Sequence, residues 1–266
     1  NERSFPSSEY NLRSFRSEIN KFLIKNLYNH SDLIISNSLG NANDLKVNFK
    51  ISKKIITVYN PISNYFTKHS NDNLINLEFK KDKLNFITIG RLDANKNHIT
   101  LINIIEKLGL KDVNLYIIGK GPLKSELIKT INNKKLQNQI FMLGFKNNPE
   151  LYLKKADCFL FSSKSEGFPN VLLESLVNKL PIITYNCKSG PDEIFFNKIL
   201  KIKKNRISKI GILVPFNDEN NFENAIKYFI KNREEFNDFP KFKETLKRFN
   251  HDNTLEKYYK KINNWF

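Results

Sequence analysis

Two glutamates eight positions apart, Glu166 and Glu174, stand in the stretch "SKSEGFPNVLLESL" at residues 163–176. Glu166 follows the uncharged apolar run "CFLFSS". It therefore falls in a loop just past a strand, where a carboxylate faces a cleft and accepts hydrogen bonds from a hydroxyl-rich ligand. The alternative is a solvated loop charge. Gly167 lets the backbone come close to a ligand. Pro169 suits the start of a helix. The first-turn amides around Asn170 and Val171 lack helical partners and point toward an anion. Glu174 lies four positions after Asn170, on the same helix face. It can take two hydroxyls of a ribose, or be a helix-surface charge. Its neighbours Leu172, Leu173 and Leu176 put it in apolar company, and a buried carboxylate needs partners.

Two cations, Arg91 and Lys96, follow the run "FITIG". Paired at a strand end beside a helix start, they form an anion site. Arginine grips phosphate oxygens as a fork, and lysine acts as a point charge. The alternative is two solvated surface heads.

The elements that position these residues alternate regularly. Apolar runs at 85–90, 114–119, 140–145, 158–163, 181–186 and 211–215 read as strands. Helical patterns fill 98–108, 123–131, 150–156, 170–177 and 192–196 between them, and helices complete the C-terminus. Fully apolar strands are buried on both faces, which predicts a doubly wound parallel sheet of the α/β class. Ligands of such a sheet bind at the carboxyl ends of the strands. Upstream, "EINKFLIKNL" reads as an amphipathic helix with Ile19, Phe22, Leu23 and Leu27 on one stripe. "DLIISNS" and "KIITVYNP" read as strands with a helix between them, and Asn60-Pro61 marks a break. A polar, weakly patterned stretch covers 63–82, and the basic run "KILKIKKNRISK" at 198–209 reads as a solvated loop.

Composition narrows the class. Of the 266 residues 40% are hydrophobic, enough for a sizeable core and too many for disorder. No apolar run reaches the roughly 18 residues of a membrane span. The first ten residues are too polar for a signal peptide. Cys158 and Cys187 sit in apolar stretches, as buried thiols in a reducing compartment do. The formal charge of +17 comes mostly from lysine. A nucleic-acid reader favours arginine, so general compositional bias explains the excess better.

Several segments then match one pattern in order and spacing: "IGRLDANKNHITLI", "YIIGKGPLKSEL", "FMLGF", "NPELYLKKADCFLFSS", the two-glutamate stretch and "SGPDEI". Together they resemble the family-4 retaining glycosyltransferases, whose GT-B architecture sets two Rossmann-like domains face to face. The resemblance implies that Arg91 and Lys96 bind a donor diphosphate and, with Glu166, form the catalytic set. Glu166 holds donor-sugar hydroxyls, and Glu174 takes those of the ribose. Backbone at Gly167, Phe168, Pro169, Asn170 and Val171 contacts sugar and phosphate, while Gly144 and Phe145 pass near the base.

The implied function is transfer of a hexose or N-acetylhexosamine, with retention, from a nucleoside-diphosphate sugar to a lipid-linked or surface-glycan acceptor. The donor is expected to be a UDP-sugar. Neither a cofactor nor a metal is expected, and "DxD" does not occur. The expected place is the cytoplasm, peripheral on the inner face of an anionic membrane, with no nucleic acid partner. Residues 1–60 are expected to be the remnant of an N-terminal acceptor-binding domain, and 61–266 a nucleotide-sugar domain with a helical tail. A family histidine near the reacting sugar finds no match among His30, His69, His98 and His251. His98 reads as a solvated or capping residue. The alternatives are a non-catalytic nucleotide-sugar-binding fragment that needs a partner domain, and a sugar-nucleotide epimerase of GT-B fold.

Overall fold

The computed structural model describes residues 2–10, 14–62, 79–80 and 82–263. The weakly patterned stretch and His69 lie almost wholly outside them. The chain opens with α1 (Pro6–Glu9), α2 (Phe15–Leu27), β1 (Ile34–Ser36), α3 (Leu39–Asn48) and β2 (Ile55–Thr57). The main unit then runs β3 (Leu84–Ile89), α4 (His98–Leu108), β4 (Val113–Ile118), α5 (Lys124–Asn133), β5 (Ile140–Gly144) and α6 (Glu150–Leu153). It continues through β6 (Cys158–Phe161), α7 (Asn170–Val177), β7 (Ile182–Tyr185), α8 (Pro191–Phe196), β8 (Arg206–Ser208) and β9 (Gly211–Val214). Helices α9 (Glu219–Lys231), α10 (Phe239–Lys247) and α11 (His251–Asn263) close it.

Seven strands form one sheet in the order β5-β4-β3-β6-β7-β9-β8. Every pairing is parallel except β8 with β9. The apolar strands are covered on both faces. One core packs α4, α5 and α9 on the sheet through Leu101, Ile105, Leu127 and Phe222. The other packs α6, α7 and α10 through Leu153, Leu172, Leu176 and Phe242. Cys158 and Cys187 are free and buried.

Strand β8 corrects the end of the reading of 198–209 as a loop: 198–205 carry no helix or strand, and Arg206–Ser208 form an edge strand. Three of its residues pair antiparallel with β9, and the Arg206 guanidinium lies 5.4 Å from the Phe196 ring centre. An exposed edge strand carries charge without cost, and its charges hide it from an apolar pattern.

The first five elements build a separate two-stranded parallel sheet over a small core of Ile24, Ile34, Leu45, Phe49 and Ile51. Here the apolar stripe read on α2 stands uncovered. Phe15 is 84% exposed, Phe22 66% and Leu27 59%, while Ile24 is the helix's one buried apolar residue. Burying one isoleucine contributes about 1.5–3 kcal/mol. Ordering each backbone residue costs about 1–2 kcal/mol. The described contacts of α2 therefore hold it weakly. The strand "DLIISNS", by contrast, is covered, with Ile34 and Ser36 buried.

Candidate functional site

The strand order places the site. From β3 the chain moves outward through β4 to β5, then returns to lay β6 on the other side of β3. Loops leaving β3 and β6 therefore diverge at a topological switch point, the usual ligand crevice of such sheets. The β3 loop carries Arg91 and Lys96, and the β6 loop carries Glu166.

Local hydrogen bonds fix both loops. Asp93 Oδ1 accepts the amides of Asn95 and Lys96 at 3.0 Å each, a turn built by the Asp-x-Asn-Lys order. Asn95 then stitches the loops together: its carbonyl accepts from the Lys164 amide, and its Nδ2 donates to the Ser165 carbonyl, both at 2.8 Å. Ser162 Oγ lies 3.0 Å from the carbonyls of Lys96 and Asn97. Asn97 is left-handed at φ 53° and opens α4 without a side-chain cap.

Held this way, Lys96 Nζ donates to Glu166 Oε1 at 2.6 Å. Their side chains are 23% and 12% exposed, so the pair is shielded from solvent while the cleft still reaches it. Arg91 stands at the rim, 72% exposed, with Nε 3.5 Å from Asp93 Oδ2. His98 corrects the expectation of a solvated or capping residue: it is 3% exposed. Burial, with the Lys96 charge beside it, pulls its imidazole down to about 4, so it is neutral at pH 7.

A cavity of about 450 Å³ opens beside Glu166, and the N-terminal segment forms its other wall. Arg3, Ser4 and Ser8 face Asn95, Glu166 and Gly167 across it. A side chain at position 167 would strike the Arg3 carbonyl at 1.9 Å. Glycine is thus required there by the N-terminal segment, a reason the sequence alone did not suggest. Phe168 packs its ring on Tyr59 and Phe249 and leaves only backbone for a ligand. Pro169 and Asn170 begin α7, which no side chain caps, and Val171 is half-buried. Asn170 Oδ1 accepts from Asn60 at 2.9 Å.

Glu174 lies one turn into α7, half-buried, and its carboxylate accepts no hydrogen bond among the described residues. Desolvation first, then the charge of Glu150, pushes its carboxyl up to about 7. Gly144, at φ 71°, ends β5 with open space where a side chain would stand, and Phe145 is 59% exposed beneath Lys120.

Two acidic residues that the sequence reading left unassigned belong to this region. Glu193 of "SGPDEI" accepts the amides of Leu39 and Gly40 at 2.7 and 2.9 Å, so it caps α3 and clamps the small sheet to the large one. Ser189 reinforces that clamp through Ser38 and the Gly167 carbonyl. Glu150 is buried with one oxygen unpartnered. No three His, Cys, Asp or Glu side chains cluster as a metal site among the described residues.

A shielded cation–carboxylate pair, a second cation at the rim and an uncapped helix start have the chemistry to receive an anion carrying hydroxyls. Residues 70–245 match the family described as "Glycosyl transferases group 1".

The chain belongs to that family.

Among relatives of this group 1 glycosyltransferase chain is the N-acetylgalactosamine-N,N'-diacetylbacillosaminyl-diphospho-undecaprenol 4-alpha-N-acetylgalactosaminyltransferase of Campylobacter jejuni. It is 38% identical over 87% of this chain and 60% of its own length. An uncharacterised glycosyltransferase of Methanocaldococcus jannaschii is 35% identical over 73% of this chain and 50% of its own. The group 1 chain thus spans between half and two-thirds of these relatives. Its fold is that of the crystal structure of Anabaena HepE in complex with UDP: TM-score 0.80, 16% identity, 98% of this chain and 71% of that one. No helix among the described residues is long and apolar enough to cross a membrane.

Proposed function

We propose that the chain is the donor side of a family-4 retaining glycosyltransferase. It moves a hexose or N-acetylhexosamine from a UDP-sugar to a lipid-linked or surface-glycan acceptor. The observation that carries this reading is the Lys96–Glu166 pair at the switch point, whose carboxylate lines a cavity with two walls. Lys96 and Arg91 supply the positive charge that a departing diphosphate needs. Glu166, released from Lys96 by that diphosphate, orients hydroxyls of the donor sugar. Uncapped amides at the start of α7 add a partial positive charge. The bond from the anomeric carbon to the diphosphate oxygen breaks, and its electron pair stays on that oxygen. The acceptor hydroxyl bonds to the same face of the carbon and passes its proton to the departing oxygen. The protein's share is positioning and charge stabilisation.

The Campylobacter relative's name, with its diphospho-undecaprenol acceptor, supports a lipid-linked acceptor. The UDP in the Anabaena structure supports a uridine donor. On this reading residues 1–60 belong to an acceptor-side domain, and the lysine-rich surface rests on the cytoplasmic face of an anionic membrane. The exposed stripe of α2 favours a second reading, in which catalysis waits for a further covering domain. Radiolabelled sugar transfer to a lipid-linked acceptor pool tests both, with and without the acceptor-side domain of a longer relative. Labelled lipid product of retained configuration is expected, more of it with the added domain. Release of free or epimerised sugar in both arms would contradict transfer.

A further inference from the structure

Glu150 opens α6 directly after Pro149, close to the end of β5. It is 4% exposed, and its Oε2 is closed to solvent without any hydrogen-bond donor. Buried polar atoms are nearly always paired, so an unpaired one asks for a missing partner. A second carboxylate lies within electrostatic reach of Glu150. Helix α6 packs against α7, and the charge of Glu150 acts on Glu174. Glu174, half-buried, accepts no hydrogen bond on its carboxylate among the described residues. Two carboxylates on packed helices offer acceptors only, so whatever completes them must bring donors. A metal ion would want further ligands, and no third acidic or imidazole group joins them among the described residues. A cis-diol brings two hydroxyl protons and no charge.

We propose that Glu150 is a second ribose-recognising carboxylate: its Oε2 and the carboxylate of Glu174 together accept the 2′- and 3′-hydroxyl protons of the nucleotide. The inference rests on the nucleotide-sugar reading above. It places the nucleoside half of the donor between the Gly144–Phe145 backbone and the two glutamates, with the diphosphate toward Lys96.

Calorimetry on the full chain tests it, with UDP and GDP beside their 2′-deoxy and 3′-deoxy forms at pH 8. Wild-type protein is expected to prefer the ribonucleotide by about tenfold or more over one deoxy form. Glu150→Leu should lose that preference and keep its affinity for the deoxy form within about twofold. Its melting temperature should not fall, because an unpaired buried acceptor becomes an apolar group. Glu150→Gln keeps one acceptor and should retain part of the preference. An unchanged ribose preference in both variants overturns the inference and leaves the nucleotide site standing. So does tighter ribonucleotide binding, the sign expected if Glu150 acts only by repelling the charge of Glu174. A folded wild type that binds none of these nucleotides overturns the site reading and the inference together.

Discussion

Glu174 gives the most direct link from a residue to a measurement. Accepting two hydroxyl protons requires the ionised form, and burial together with Glu150 raises this carboxyl to about 7. Ribonucleotide affinity should therefore rise with pH and level off above 7, by about tenfold between pH 6 and pH 8. Glu174→Gln should remove that rise, and phosphate titration, common to both proteins, cancels in the comparison. Parallel pH profiles for the two proteins would contradict the assignment. On stability the sign is opposite. Between the ordinary value of 4.5 and 7 the folded state holds more protons than the unfolded state, so this group's contribution falls as pH rises through that window. Glu166 behaves differently because it competes with ligand for Lys96. Glu166→Ala should leave a bare nucleoside diphosphate bound as tightly or more tightly, and weaken the sugar-bearing donor by about 1.5–3 kcal/mol. Equal losses for both ligands would defeat that division of roles. Lys96 and Glu166 were legible as candidates because strand ends and loops can be read locally. Their contact was not, since it spans 70 positions. Glu150 was missed because a glutamate opening a helix reads as an ordinary first-turn charge.

At the scale of elements, the βα alternation carried most of the fold. Helix α4 at His98–Leu108 and helix α7 at Asn170–Val177 lie where the apolar period puts them. What escaped the sequence depends on distant partners. Strand β8 exists only because β9 supplies a ladder, and the role of Glu193 only because α3 presents two amides to it. That clamp is testable. Glu193→Ala leaves the Leu39 and Gly40 amides without their acceptor. Two charge-assisted bonds are lost, offset by relief of a burial that raises the carboxyl above its ordinary range. A net loss of about 1.5–3 kcal/mol is expected from urea unfolding. A midpoint within error of wild type would show that the two sheets are held by other contacts.

For the whole molecule, two surfaces stand out. The stripe of Phe15, Ile19, Phe22, Leu23 and Leu27 leaves contiguous apolar area in water, which favours self-association. Light scattering should show concentration-dependent growth that Phe22→Glu with Leu23→Lys suppresses; a wild type that stays monomeric would contradict this. The net charge of +17 should bind anionic vesicles in low salt and release them in high salt, since each lysine near the surface adds about 1 kcal/mol that salt screens. Retention in high salt would contradict a purely electrostatic attachment. Charge and the α2 stripe could both be read from the sequence, because both follow from residue type and helical spacing. Above these stands the claim that the crevice between the β3 and β6 loops is a nucleotide-sugar site. Calorimetric titration of the purified chain with a panel of uridine and guanosine diphosphate sugars tests it most directly, with Lys96→Ala as the paired variant. The account predicts saturable one-site binding of at least one donor, weakened about tenfold or more in Lys96→Ala while the fold is retained. No binding of any donor by a folded wild type, or equal binding by Lys96→Ala, would contradict it.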